Sequence, residues 1–307
     1  MLITVLVPTY RRPQDLLRCL KALSQQTRPV DQVIVTIRDT DAETWQTLPT
    51  FDQFKLPLQT VEVTVSGVVA AMNAGLFAFK GDVLCITDDD SVPHPDWIER
   101  IEQHFLADEQ VGGVGGKDYV YHGEVLEDGA ASVVGKLSWF GRAIGNHHIG
   151  IGDAREVDIL KGVNMSFRQA AIQQFKFDER MRGTGAQVHY ELAFCLNLKK
   201  HGWKLIYDPN VAVDHYPAQR FDEDQRRSFN ATAVTNAVHN ETISLLDNFS
   251  LSRCIVFLLW SFMVGTRQSF GLLQCLRFFP KEGFLAVKKW LAALQGRWQG
   301  YQTWQSS

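Results

Sequence analysis

The stretch Val83-Leu-Cys-Ile-Thr-Asp-Asp-Asp-Ser-Val-Pro-His-Pro-Asp-Trp97 carries an apolar run straight into three consecutive carboxylates, Asp88, Asp89 and Asp90. Like charges packed this closely repel, so they persist at a strand end only where solvent, basic groups or a cation neutralises them. Hard oxygen ligands suit Mg²⁺ or Mn²⁺ better than zinc. In an extended D-x-D the side chains of Asp88 and Asp90 point the same way, so both can face one metal held by a diphosphate. The alternative, from these residues alone, is a solvated acidic turn capping a helix over His94 to Phe105.

Upstream, short β-rich runs alternate with amphipathic stretches. Leu2 to Val7, Val33 to Ile37, Val61 to Val65 and Val83 to Thr87 read as strands. Leu16, Leu17, Leu20 and Leu23 fall at helical spacing after Pro13, and a second helix fits Val68 to Phe79, with Gly81-Asp82 as its turn. This is the β-α-β-α pattern of a mostly parallel sheet flanked by helices, in which ligands collect at the carboxyl ends of the strands. Those ends carry Pro8-Thr-Tyr-Arg-Arg-Pro13, Arg38-Asp-Thr-Asp41 and Asp88-Asp-Asp90. All three loops are expected on one edge of the sheet. Downstream, from about Gly112 to Gln219, glycines and aromatics suggest mixed strands and loops that complete the same domain. Beyond Phe221 the chain turns helical.

A chain of 307 residues, 45% hydrophobic and 21% charged, can bury a large core, either as one α/β domain with an appendage or as two modest domains. The net charge is -3, but residues 251–307 hold seven basic groups, Arg253, Arg267, Arg277, Lys281, Lys288, Lys289 and Arg297, against Glu282. Set among Phe, Leu and Trp, this block fits an anionic lipid surface better than nucleic acid, for which no motif accompanies it. Cys254 to Val264 is apolar but only half the ~20 residues a bilayer requires. The later stretch through Leu272, Leu276, Phe279, Phe284, Leu291 and Leu294 has the composition of an amphipathic helix lying on a membrane. The alternative is a helical hairpin packed on the catalytic domain or used to form a homo-oligomer. Five scattered cysteines without a CxxC pair, and no basic-then-apolar leader, lead to the expectation of a cytoplasmic chain, peripheral at most to the inner face of the cell membrane.

Six segments in order then carry a resemblance: VPTYRRP (Val7 to Pro13), VVAAMNAGLFAFKGDVLCITDDDSVPHPDW (Val68 to Trp97), LKGVNMSFR (Leu160 to Arg168), FDERMRGTG (Phe177 to Gly185), GWKLIYDP (Gly202 to Pro209) and VDHYPAQR (Val213 to Arg220). Over roughly Leu2 to Arg220 the chain resembles the inverting family 2 glycosyltransferases of GT-A fold. The resemblance implies a nucleotide-sugar donor, UDP-, GDP- or dTDP-linked, a Mg²⁺ or Mn²⁺ ion bridging its phosphates, and a carboxylate that deprotonates the acceptor hydroxyl.

By that resemblance Asp90 is the direct metal ligand, Asp88 lies near the ribose or metal, and His215 stands where the family has a distant histidine ligand. The alternative for His215 is a buried histidine hydrogen-bonded to backbone. The family's Glu-Asp pair is incomplete, with Tyr190 at the glutamate position and Glu191 at the aspartate position. Glu191 is therefore the expected base, kept ionised by a helix N-terminus, or else a plain helix charge; His189 is a substitute. Pro8, Thr9, Tyr10 and Arg11 are expected on the nucleotide, with Asn73 and Asp89 counted among the donor contacts. Where many members carry consecutive aspartates after strand two, this chain has Ile37 and Arg38, so Asp39 is taken as the reader of the base. Lys161-Gly-Val-Asn164 reads as a tight turn bringing Lys161 and Asn164 to the sugar or phosphates. Gly183-Thr-Gly185 reads as a mobile acceptor-side loop, and Arg220 as a counter-charge to the diphosphate.

The expectation is thus a GT-A catalytic domain over 1–220 and a helical, apolar and basic region over 221–307. The activity expected is inverting sugar transfer to a glycan or lipid-linked acceptor. A sugar nucleotidyltransferase and a catalytically inactive sugar-nucleotide or glycan-binding subunit are the alternatives.

Overall fold

A computed structural model describes residues 1–224 and 228–307. The amino-terminal part runs β1 (Ile3–Thr9), α1 (Pro13–Ser24), β2 (Gln32–Arg38), α2 (Ala42–Thr47), β3 (Leu58–Val63), α3 (Val68–Ala78) and β4 (Val83–Thr87). Then follow β5 (Ser91–Pro93), α4 (Trp97–Ala107), β6 (Val111–His122) and the short strands β7 (Val125–Leu126), β8 (Lys136–Leu137), β9 (Ala143–Ile144) and β10 (Arg155–Val157). The sheet-forming part closes with β11 (Asn164–Arg168), α5 (Gln169–Ile172), α6 (Tyr190–Lys200) and β12 (Lys204–His215). Helices α7 (Ala231–Asn248), α8 (Leu251–Met263), α9 (Leu272–Glu282) and α10 (Phe284–Gln305) end the chain.

The main sheet has the order β10-β12-β6-β11-β4-β1-β2-β3. Strands β4, β1, β2 and β3 are parallel, as are β6 and β12, while β11 runs antiparallel between β4 and β6. Period-two alternation sorts β2 onto two cores. Val33, Val35 and Ile37 pack with Leu16, Leu20 and Leu23 of α1, whereas Ile34 packs with Val69 and Met72 of α3. Pro13 starts α1 where its missing N–H costs nothing. Helix α3 lies close on the sheet because Gly75 has no side chain; a Cβ there would meet Leu6 at 2.3 Å.

The half that sequence periodicity resolves least is built by a register shift. Strands β6 and β12 pair in parallel with an irregularity between Asp208 and Ala212, and at Gly116 a Cβ would fall 1.6 Å from the Val211 carbonyl oxygen. Strand β5 then pairs antiparallel with β12, setting Ser91 opposite His215. That pairing carries the end of the D-x-D segment to a histidine far along the chain.

The carboxyl-terminal helices pack on this sheet's helical layer. Leu245, Leu246, Cys254 and Phe257 share a core with Ile159, Leu192 and Leu196. Asn240 of α7 accepts from the Arg182 N–H at 2.8 Å and donates to the carbonyls of Arg182 and Val188 at 2.9 and 3.1 Å. The apolar, basic stretch expected as one amphipathic helix is two, α9 and α10, broken at Gly283, whose φ of 58° follows Pro280 inside the last turn of α9. Among the described residues no helix is long and apolar enough to cross a membrane.

Candidate active site

The carboxyl ends of β1, β2, β3 and β4 meet the start of α3, the start of α6 and segment 219–222 around a cavity of about 410 Å³. Its lining includes Pro8, Thr9 and Tyr10 after β1, Thr36 and Arg38 on β2, Asp88 and Asp90 after β4, Tyr190, and Arg220. The three loops expected on one sheet edge do meet there.

The carboxylate triplet divides its work. Asp89 turns inward and is fully buried; the Thr9 hydroxyl donates to it at 2.7 Å, and Arg12 lies 3.0 Å away. Burial pushes the Asp89 carboxyl up, against the pull of Arg12. Asp90 is also buried: its Oδ2 accepts from the Ala218 N–H at 2.9 Å and from Arg12 at 3.2 Å. The other oxygen, Asp90 Oδ1, has no hydrogen-bond partner among the described residues, and neither does His215 Nε2, which faces it at 3.5 Å. His215 Nδ1 lies 3.4 Å from Asp118 Oδ2. With the proton on Nδ1 toward Asp118, Nε2 presents a lone pair to Asp90. Two lone pairs facing each other inside the protein are a repulsive arrangement that a cation between them relieves. One ligand atom each from Asp88, Asp90 and His215 falls within 4.8 Å of the others. Two carboxylates and an imidazole fit Mg²⁺ or Mn²⁺, so the residues match the expected ion.

Asp118 is the residue behind His215. It is fully buried and ion-paired with Lys161. Burial raises its pKa, but His215 and Lys161 together outweigh that and hold the carboxyl below its usual value.

Glu191 is the second residue of α6, after His189, which adopts a φ of 77°. It is partly exposed, outside the cavity lining, and near Asp88, Lys161 and His189. Burial raises its pKa more than His189 and the helix's own N–H lower it. The helix N-terminus was expected to help keep this carboxylate ionised, and burial works against it by raising the pKa above the usual value.

Several expected donor contacts have other work. Asn73 spans from α3 to Phe177, donating to its carbonyl at 3.0 Å and accepting its N–H at 2.8 Å. Asn164 is buried, accepting from the Trp97 indole at 2.9 Å and donating to the Val211 carbonyl at 2.8 Å. Neither side chain lines the cavity. Asp89 is buried against Thr9 and Arg12 and does not line the cavity. Asp39 is exposed, receives the Thr40 N–H at 2.9 Å and does not line the cavity; Arg38 does. Arg11 takes a φ of 57° that turns its guanidinium over the Tyr10 ring, 5.0 Å from the centroid, and leaves Arg12 to face the carboxylates. Lys161 reaches Asp118, and Arg220 lines the cavity while paired to Asp224. The loop through Gly183–Gly185 is tied down: Gly185 accepts from Val68 N–H at 2.8 Å, and Thr184 donates to Glu223 at 2.6 Å.

Sequence reasoning passed over Arg12, Arg38 and Asp118. For Arg12 no signal distinguishes it from its neighbour, since the choice depends on the backbone turn at Arg11. Asp118 had one: an acid inside a glycine-rich strand needs a buried partner.

The profile of the glycosyltransferase-like family 2 matches residues 2–231. The glycosyltransferase AglE of Haloferax volcanii is 24% identical over 267 residues, 84% of this chain and 79% of that protein. Two solved structures share the fold. TarS 1-349 of S. aureus in complex with UDP-GlcNAc has a TM-score of 0.64 and 16% identity, covering 98% of this chain and 81% of that one. The mannosyltransferase PcManGT of Pyrobaculum calidifontis in complex with GDP-Man and Mn²⁺ has a TM-score of 0.59 and 17% identity, covering 99% and 83%.

Proposed function

The chain belongs to the glycosyltransferase-like family 2, and on that premise we propose that it transfers a sugar from a nucleotide-sugar donor with inversion, using a divalent cation at Asp88, Asp90 and His215 and Glu191 as base. The observation that carries this reading is the facing pair of unpartnered atoms, Asp90 Oδ1 and His215 Nε2, where Asp90 lines a cavity large enough for a nucleotide. TarS and PcManGT, which share the fold, bind UDP-GlcNAc and GDP-Man. A bound Mg²⁺ or Mn²⁺ supplies Lewis acidity toward the leaving diphosphate.

The chain's own groups do the rest. Arg12 and Thr9 hold Asp89 and Asp90 in place against their mutual repulsion, and Asp118 holds the His215 ring. Arg220, on the cavity wall, offers positive charge to the diphosphate as it departs. Tyr10 gives the nucleotide an aromatic face. Glu191 removes the proton from the acceptor hydroxyl as that oxygen attacks the anomeric carbon opposite the leaving group; its raised pKa makes it a stronger base than an exposed glutamate.

Residues 1–220 form the catalytic unit in this reading and 221–307 an appendage that contacts a membrane at the cytoplasmic face. Leu251, Ile255, Leu259 and Phe262 recur at helical spacing on the exposed side of α8, and Arg267, Arg277, Lys281 and Lys288 are exposed nearby in sequence. A lipid-linked acceptor fits this surface; a soluble glycan does not require it.

The test is metal-dependent hydrolysis of a panel of UDP-, GDP- and dTDP-sugars, with Asp90→Ala as control. Cleavage of one donor that requires Mn²⁺ or Mg²⁺ and disappears in the variant supports the proposal. Equal cleavage without metal, or in Asp90→Ala, overturns the metal's part in it, and release of pyrophosphate instead of a nucleoside diphosphate would return the nucleotidyltransferase alternative.

A further inference from the structure

The cavity has a second polar corner away from the carboxylates. Ile34, Thr36 and Arg38 alternate along β2 and so face the α3 side of the sheet, where Ile34 is packed against Val69 and Met72. Thr36 and Arg38 both line the cavity. Thr36 is 1% exposed, yet its hydroxyl has no hydrogen-bond partner among the described residues. The Arg38 Nε is buried and unpartnered in the same sense, its nearest carboxylate being Asp39 Oδ1 at 3.5 Å. A buried hydroxyl and a buried guanidinium N–H without partners lose hydrogen bonds they held in water, and a ligand that supplies them recovers that loss.

This corner is two strands from Asp90, since β1 separates β4 from β2, a distance of about 10 Å. With the diphosphate at the carboxylate end, a ribose bridges that span and the base arrives at Thr36 and Arg38. The acids of the adjoining loop are turned elsewhere: Asp41 is buried as the cap of α2 and takes the Arg11 N–H at 2.6 Å, and Asp39 is exposed. The corner therefore offers the forked donors of a guanidinium, then a hydroxyl that can accept.

Of the bases of UDP-, GDP- and dTDP-linked donors, only guanine shows two adjacent acceptors, N7 and O6, on one edge. Its N1–H follows O6 around the ring and requires an acceptor. Uracil and thymine set the N3–H donor between O4 and O2, where the second donor of the fork would collide. Resting on the glycosyltransferase reading, we propose that Arg38 and Thr36 select guanine, so that the donor is a GDP-linked sugar.

Calorimetry with Mn²⁺ and GDP, UDP and dTDP tests this. The expected result is GDP binding at least about tenfold tighter than either pyrimidine nucleotide, a difference of ~1.4 kcal/mol. In Arg38→Met the GDP preference disappears while UDP and dTDP affinities stay unchanged. Arg38→Lys keeps the charge but not the fork and is expected to lose the preference too, so a folding defect in the first variant leaves the test intact. Tighter UDP or dTDP binding by the native chain overturns the guanine assignment and leaves sugar transfer standing. An equal loss for all three nucleotides in Arg38→Met overturns it as well, by putting the guanidinium on the phosphates. Metal-dependent binding of none of them overturns the transferase reading and this inference with it.

Discussion

The two carboxylate positions beside the cavity are built on opposite principles. At the end of β4, Asp89 and Asp90 are buried but surrounded by donors from Thr9, Arg12 and Ala218, and of the two oxygens without a hydrogen-bond partner among the described residues Asp89 Oδ1 is ion-paired with Arg12 while Asp90 Oδ1 faces His215. At the start of α6, Glu191 is half-buried with no ion pair among the described residues, and burial raises its pKa. A carboxylate surrounded by fixed donors is suited to holding a cation; one whose charge is poorly compensated is suited to taking a proton. The same side-chain chemistry thus acquires two tasks from its surroundings.

The largest expected effect is on the proton acceptor. Glu191→Gln should lower transfer by about 10²- to 10⁴-fold while leaving Mn²⁺ and nucleotide affinity unchanged, as calorimetry and a transfer assay on the same sample can establish. Loss of nucleotide affinity instead would break the contrast by making Glu191 part of the donor site.

At the other position, Asp90→Ala should cost about 10²- to 10³-fold in donor cleavage and remove Mn²⁺ binding altogether, which titration followed by electron paramagnetic resonance reads directly. A milder loss belongs to the residue behind the histidine. Asp118→Asn should weaken Mn²⁺ by about 10- to 100-fold through misorientation of His215. Unchanged affinity there would show that the His215 ring needs no support.

The pH dependence sharpens the comparison further. Glu191 acts only when ionised, and its folded pKa lies above the ordinary 4.5. The acid limb of the rate profile should therefore lie above the value for an exposed glutamate and vanish in Glu191→Gln. The same raised pKa means that the folded chain binds this proton more tightly than the unfolded one. Stability then falls as pH rises from 4.5 through the folded value, and Glu191→Gln should melt slightly higher than the native chain at neutral pH.

The smallest effect lies farthest from the chemistry. Asn240→Ala strips the loop through Arg182–Val188 of three hydrogen bonds to α7, and a loss of about 1 to 3 kcal/mol in stability is expected from thermal melts. Loss of activity without loss of stability would give α7 a part in holding the cavity wall.

The strands and helices of the first hundred residues were legible because each is marked locally. Alternating apolar residues, Pro13 opening α1 and carboxylates closing β4 place three polar loops on one edge. The site was legible as a composition and less so as a geometry. Asp88, Asp90 and His215 do come together, and Thr9, Tyr10 and Arg220 do line the cavity. Asn73 and Asn164 sit in the quoted motifs but serve as internal braces, because an amide that satisfies two backbone groups is indistinguishable in sequence from one that binds a ligand. Arg38 lines the cavity and Asp39 does not, a difference of one residue that in a strand is a change of face.

By itself the sequence determined the family, the parallel half of the sheet and the chemical character of the strand ends, since hydrophobic period and local charge are properties of neighbours in the chain. Only the tertiary structure decided which atoms remain without partners. Asp90 Oδ1, His215 Nε2 and the Thr36 hydroxyl are defined by what fails to reach them across β5, β12, β1 and β2, and that depends on the register of strands far apart in sequence. Pairing energies between distant segments, and the burial they produce, have no trace in the local order of residues.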